Sequence, residues 1–181
     1  VHLAGWHDLE TRRWLEKETR RLAHVVPELH ARAYVERLLE GPHDSTGSFH
    51  LYLGEGVGGA YLRGLIPFVG DSFCQMEAGH LIVQENGPLC PCGNRGCLEA
   101  VVGEAGIRRR IAELVRGGVH SPLTDQDYSI EHLARCARQG EKVALALALE
   151  IARNVGVALA AVVVLLNPSL VSLSGPLCAL E

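Results

Sequence analysis

An α/β architecture is predicted for this chain by three observations. Phe49–Leu53 is a short apolar, β-prone run that ends in the glycine turn Gly54-Glu55-Gly56-Val57-Gly58-Gly59. Glu141–Leu166 is built of Ala, Leu and Val with Arg153 and Asn154 interrupting, and Asn167-Pro168 stops it as a helix. Leu170–Ser174 then reads as a strand ending at Gly175-Pro176. Strand, glycine turn, helix and strand in that order favour helices packed on a sheet.

The elements follow in order. Asp8 to about Ala23 is charged and helix-prone, with Leu9, Trp14, Leu15 and Leu22 available for an apolar side. His24-Val25-Val26 is a short extended piece that stops at Pro27. Ala31, Tyr34, Val35, Leu38 and Leu39 recur at helical spacing, and Gly41-Pro42 closes that helix. Pro42–Ser48 is the best linker candidate. Ala60–Ile66 reads as the return strand after the glycine turn, with Arg63-Gly64 as a turn, and Glu99–Arg116 and Ser129–Arg138 are helical in character. The first helix has no sheet before it and the chain stops shortly after a strand. A complete doubly wound domain is therefore expected to carry more strands on both sides.

Composition narrows the function classes. The 181 residues are 48% hydrophobic, enough for a sizeable core. A net charge of −4 argues against a free-standing nucleic-acid surface. The local clusters Arg108-Arg109-Arg110, Arg12-Arg13 and Arg20-Arg21 read as solvated helix faces. Val155–Leu166, the longest apolar run, falls short of the roughly 18–20 residues that span a bilayer, so it reads as a buried helix and no membrane association is expected. The first residues resemble no secretory signal. Six cysteines in a chain of this length do not suit a secreted disulfide scaffold, so a reducing cytoplasm is expected, with Cys74, Cys136 and Cys178 as plain buried thiols.

The other three cysteines carry the main chemical signal. His80, Cys90, Cys92 and Cys97 bring three thiolates and one imidazole onto one turn-rich loop, spaced His-x9-Cys-x-Cys-x4-Cys. Zinc suits this mixed nitrogen–sulfur set, and a fourth protein ligand closes the shell against water, which makes the site structural. Binding of such a metal contributes on the order of 10 kcal/mol of folding free energy.

Two further constellations are open to two readings each. The glycine turn could bring backbone N–H groups of Gly54, Gly56 and Gly58 against a phosphate. A tight hairpin explains the glycines as well, and Glu55 at its mouth would repel a polyphosphate. Glu77 and His80, beside Glu99, could exchange hydrogen bonds with adjacent sugar hydroxyls, or the two carboxylates could simply orient the metal ligands. For the carboxylates the residues alone leave the two readings equal, while for the glycine turn the phosphate reading is the weaker one.

Taken together, Glu77-x-Gly79-His80 followed by Cys90-x-Cys92-Gly93-Asn94-x-Gly96-Cys97-Leu98-Glu99 resembles the signature of the ROK family, bacterial sugar kinases and sugar-responsive transcriptional repressors. The resemblance covers roughly Val25 to Leu177 and lies nearest the family's transcriptional regulators. It implies an actin-like, ribonuclease-H-like fold, with residues 1–47 a remnant of the N-terminal subdomain. Residues 48–181 would form the C-terminal subdomain, with a zinc knuckle at 80–97 and a dimerisation surface. It implies a structural zinc on His80, Cys90, Cys92 and Cys97, and Glu77, His80 and Glu99 facing sugar hydroxyls.

Several positions depart from the kinase pattern. Gly54–Gly59 looks like the family's second phosphate loop, with Glu55 where threonine is usual. Val25–Arg37 looks like the segment holding the catalytic Asn-Asp pair, which here is Pro27-Glu28. Glu28 thus stands at a degenerate base position, one methylene out of register, and a misplacement of about 1 Å can cost about a hundredfold in rate. Ser174-Gly175-Pro176-Leu177 resembles the nucleotide-side glycine turn with serine for its first glycine, and Met76 replaces a glycine before the sugar-facing glutamate. Phosphoryl transfer needs a positioned base and charge-complementary phosphate loops. The resemblance therefore implies the effector-binding part of a regulator that acts without ATP or magnesium. Its partners would be a sugar or sugar-phosphate effector and a second copy or tetramer of itself. DNA would be contacted only through a helix-turn-helix upstream of Val1. An ATP-dependent sugar kinase with an unusual active site is the alternative.

Overall fold

The computed structural model describes residues 9–39, 46–71, 76–124 and 128–180. The linker proposed at Pro42–Ser48 falls largely outside them, as does Cys74. Four strands, β1 (Gly47–Leu53), β2 (Val57–Arg63), β3 (Ile66–Pro67) and β4 (Leu170–Ser174), form one sheet in the order β3-β2-β1-β4. β1 and β2 are an antiparallel hairpin, Leu53 opposite Val57, while β4 lies parallel to β1 with Ser172 opposite His50. The predicted strands are present, and Gly64, at φ 61°, makes the turn expected at Arg63-Gly64.

Side-chain alternation splits the sheet into two faces. Phe49, Leu51, Leu53 and Val57 point into the main core beneath helices α3 (Leu98–Val102), α4 (Glu104–Arg116), α5 (Ile130–Arg138) and α6 (Lys142–Leu166). Ala60 and Leu62 point the other way, against Ala33, Leu29 and Tyr34 of α2 (Glu28–Leu39). His50 is fully buried on that second face. Ser172 Oγ and Ser174 Oγ each lie 2.9 Å from one of its ring nitrogens, so both nitrogens are satisfied.

Three expectations are corrected. The helix predicted over Glu99–Arg116 is broken into α3 and α4 at Gly103, whose backbone is extended (φ −65°, ψ 161°). A Cβ there would sit 2.6 Å from the Glu99 carbonyl and 3.2 Å from that of Glu55, so the break lets the hairpin tip approach the start of α4. The opening helix is shorter than predicted, α1 (Thr11–Thr19), ends on Arg20 in the left-handed region, and buries no residue. The residues after it, 22–27, pair with no strand among those described.

The third correction concerns α6. It is one 25-residue helix, opened by Glu141, whose carboxylate accepts from the N–H groups of Val143 and Ala144. Its full length is apolar and long enough to cross a membrane, which the run Val155–Leu166 alone is not. Seven of its residues, from Ala144 to Val162, are buried, six of them apolar and part of the main core and the seventh Asn154. The opposite face, with Leu149, Val157 and Val164, is exposed, so the helix is only half buried.

Candidate functional site

The knuckle is assembled by backbone hydrogen bonds that its glycines permit. Cys90 N–H donates to the Asn94 carbonyl (2.8 Å) and Gly93 N–H to that of Cys90 (2.9 Å), closing a turn around the first two sulfurs. Val83 N–H and Gln84 N–H both donate to the Gly96 carbonyl, which ties the His80 side of the loop to the Cys97 side. Gly96 has φ 72°, and a Cβ there would collide with the Gln84 carbonyl. Only glycine fits.

The four ligand atoms lie within 4.8 Å of one another. Cys90 Sγ is 3.6 Å from His80 Nδ1, and Cys92 Sγ is 3.6 Å from Cys97 Sγ. A tetrahedral zinc with bonds of about 2.3 Å to sulfur and 2.0–2.1 Å to nitrogen needs edges of about 3.6–3.8 Å between ligands. The residues present fit that ion. Proton chemistry agrees. Burial, then the neighbouring Cys92 and Cys90 sulfurs, push the Cys97 thiol up to about 12, while the Asn94 backbone N–H holds Cys92 below its ordinary value. Sulfurs this close resist sharing negative charge in a low dielectric, and a divalent cation at their centre removes the conflict.

With Nδ1 turned to the sulfurs, His80 Nε2 faces Glu77 Oε2 at 4.0 Å. Glu77 is otherwise exposed, 68% of its side chain. It precedes a short 3-10 turn, Ala78–His80, laid against β2: Gly59 N–H donates to the Met76 carbonyl (3.3 Å) and Gly79 sits hard against the Val57 carbonyl. Met76 packs its side chain on the main core. On the same face, Glu99 Oε2 accepts from the Val57 N–H at 2.9 Å. Glu77, His80, Glu99 and the hairpin tip thus share one neighbourhood, with one Glu99 oxygen anchoring the tip.

The glycine turn is a tight hairpin. Gly54 and Gly56 lie at its tip, joined by a 3.1 Å bond from Gly54 N–H to the Gly56 carbonyl. Gly58 and Gly59 lie inside β2 and serve packing: a Cβ at Gly58 would meet Leu29 Cδ1 at 2.5 Å, and at Gly59 Phe49 Cζ at 2.7 Å. Glu55 is exposed at the tip. Gly175, at φ 105°, packs against the Leu53 carbonyl, while the Ser174 hydroxyl is spent on His50.

Glu28 approaches the hairpin from the opposite face of the sheet. It is the first residue of α2, and its Oε1 accepts from both Nε (3.0 Å) and a terminal nitrogen (2.7 Å) of Arg32. Arg32 in turn lies over the Tyr52 ring, 4.7 Å from its centroid. Arg32 was not singled out from the sequence, although an acid and a base four residues apart on a helix is a readable pair. The His50–serine clamp had no local signal, because its partners are 122 and 124 residues away.

The chain is similar to known proteins over nearly its whole length. A family model described as ROK family matches residues 2–181. The glucokinase of Thermotoga maritima is 30% identical over 176 residues, 94% of this chain and 55% of that protein. The DNA-binding transcriptional dual regulator NagC of Escherichia coli is 26% identical over 175 residues, 97% of this chain and 42% of that protein. Among solved structures, a ROK family transcriptional regulator, a homologue of the E. coli MLC protein, superposes with a TM-score of 0.84 at 25% identity, covering 93% of this chain and 43% of that one. The chain spans about half the length of the curated relatives it matches.

Proposed function

The chain belongs to the ROK family and has its actin-like α/β fold, and from that membership we propose that it is the effector-binding and dimerisation region of a transcriptional regulator of carbohydrate metabolism. In this reading residues 1–47 belong to the N-terminal subdomain and 48–181 to the C-terminal one. The effector is a sugar or sugar phosphate whose hydroxyls meet Glu77, His80 and Glu99. A structural zinc on His80, Cys90, Cys92 and Cys97 braces that wall. It polarises no substrate, because four protein ligands leave no open position. The work is done by the chain's own groups. Glu77 and the free oxygen of Glu99 accept from hydroxyls, and His80 Nε2–H donates. DNA is contacted by a helix-turn-helix outside these residues, and two or four copies assemble.

The observation that carries the reading is the state of Glu28. At the position where the resemblance puts a kinase's general base, the carboxylate is held by two nitrogens of Arg32, which is itself stacked on Tyr52. A general base must be aimed at the hydroxyl it deprotonates, and this exposed pair turns Oε1 of Glu28 toward Arg32 while Oε2 stays without a partner among the described residues. Glu55 at the hairpin tip adds charge that opposes a nucleotide triphosphate. The 30% identity to a glucokinase favours a second reading, an ATP-dependent sugar kinase. The full-length protein is incubated with ATP, magnesium and a panel of hexoses and N-acetylhexosamines. ADP release at the background rate is expected, and sugar-dependent ADP production would sink the regulator reading.

A further inference from the structure

The knuckle holds its three sulfurs unequally. Cys97 is fully buried and its surroundings fix it: Leu98 N–H donates to the Leu81 carbonyl (2.8 Å), and the Gly96 carbonyl accepts from Val83 and Gln84. Cys90 is also buried, with Sγ 3.6 Å from His80 Nδ1. Cys92 is exposed, on a tip where Pro91, Gly93, Asn94 and Arg95 are exposed as well. A Cβ added at Gly93 would meet nothing within 4 Å. The tip therefore has room to move, while the Cys97 side is locked into the fold.

The exposed sulfur already faces a buried one. Cys92 Sγ lies 3.6 Å from Cys97 Sγ, so a covalent bond between them needs an approach of about 1.5 Å. The tip can supply that movement from the Cys92 side alone. Cys90 is a poorer partner for Cys92, because only Pro91 separates them and its ring stiffens the backbone between the two.

We infer that the knuckle is a redox-sensitive switch, in which a peroxide oxidises Cys92, a Cys92–Cys97 disulfide forms and the metal is released. The Cys92 thiolate attacks one oxygen of hydrogen peroxide. An S–O bond forms, the O–O bond breaks and hydroxide leaves. The Cys97 thiolate then attacks the Cys92 sulfur. The S–S bond forms, the S–O bond breaks and a second hydroxide leaves. Two thiolates are oxidised, one peroxide is reduced, and two protons from solvent turn both hydroxides into water. His80 and Cys90 remain, and two ligands do not close a tetrahedral shell. In a reducing compartment a disulfide of this kind is transient and serves sensing. Release of the metal removes the brace on His80 and loosens the wall it shares with Glu77 and Glu99. The inference rests on the metal site proposed above and not on the identity of any sugar.

Zinc-loaded full-length protein is treated with millimolar hydrogen peroxide in the presence of a chromogenic zinc chelator, and its thiols and disulfides are mapped by mass spectrometry. One zinc per chain is expected to be released as two of the six thiols disappear, with the new bond joining Cys92 and Cys97. Dithiothreitol and added zinc are expected to restore the site. Cys92→His keeps a four-ligand set without the exposed sulfur, and is expected to release its zinc about tenfold more slowly or slower still. If that variant does not hold zinc, the mapping on the wild type decides alone. Zinc that peroxide does not release, or release with a different pairing or with no disulfide, overturns this inference and leaves the metal site standing. Equal release rates in the wild type and zinc-loaded Cys92→His also overturn it. A protein that carries no zinc before treatment overturns the metal site and this inference with it.

Discussion

Glu99 is asked to do two things, and substitution separates them. One carboxylate oxygen accepts the Val57 N–H at 2.9 Å and pins the β1–β2 hairpin to α3. The other is the group proposed to accept a sugar hydroxyl. A hydrogen bond to a charged group is worth about 1.5–3 kcal/mol, and the part-buried position here argues for the lower half of that range. Glu99→Ala removes the acceptor and leaves the Val57 N–H of a buried residue unpaired, so about 1.5–2 kcal/mol of stability is lost. For a domain of this size that is a fall of about 3–8 °C in Tm. Glu99→Gln keeps an acceptor in place and loses only the charge, at a cost below about 1 kcal/mol. Sugar affinity of the full-length protein, by contrast, falls about tenfold in both. Calorimetric melting and urea titration give the first pair of numbers, and sugar titration the second. A Glu99→Ala protein that unfolds within 0.5 kcal/mol of wild type would refute the anchor. Undiminished sugar binding in Glu99→Gln would refute the ligand role.

Three further outcomes are expected. Elemental analysis of the purified protein gives one zinc per chain, and a chelator or Cys97→Ser unfolds the knuckle, consistent with on the order of 10 kcal/mol of metal-coupled folding energy. Zinc content near zero in a protein that melts normally would contradict this. Gly96→Ala places a Cβ into the Gln84 carbonyl at φ 72° and abolishes zinc retention. Gly93→Ala, at φ 94° in open space, costs only the backbone strain of about 1–3 kcal/mol and keeps the metal. Equal effects of the two would show that the close approach at Gly96 is unimportant. Burial lowers the pKa of His50 and of His30, so each binds a proton more readily unfolded than folded. Their contribution is complete above the ordinary histidine value near 6.5 and is lost as pH falls through the folded values. Urea midpoints measured from pH 8 to pH 5 fall at the acid end, and the fall is shallower in His50→Gln. An identical slope in that variant would exclude His50.

Local pattern carried a good part of the candidate site. All four metal-ligand candidates lie on one loop, and glycines with positive φ at Gly93 and Gly96 close it, so spacing and turn chemistry suffice to draw them together. The hairpin, β4 and α5 were readable for the same reason: each is announced by its own run and its own stop. The break at Gly103 was not. Glycine inside a helical pattern is ordinarily tolerated at a cost of about 1 kcal/mol, and only the approach of the hairpin tip makes it a corner.

What the sequence determined by itself is therefore the set of features whose partners are near in the chain: the strands and helices, the family signature and the metal-ligand set. Tertiary structure decided the rest. Glu99 finds its partner 42 residues away, His50 is clamped from β4, α6 buries only one face of an almost wholly apolar helix, and two arginines from a helix surface come to line a cavity. The physical reason is common to all four. A hydrogen-bond valence or an apolar surface is fixed by residue type, but which group meets it depends on strand register and helix packing, which no local pattern encodes.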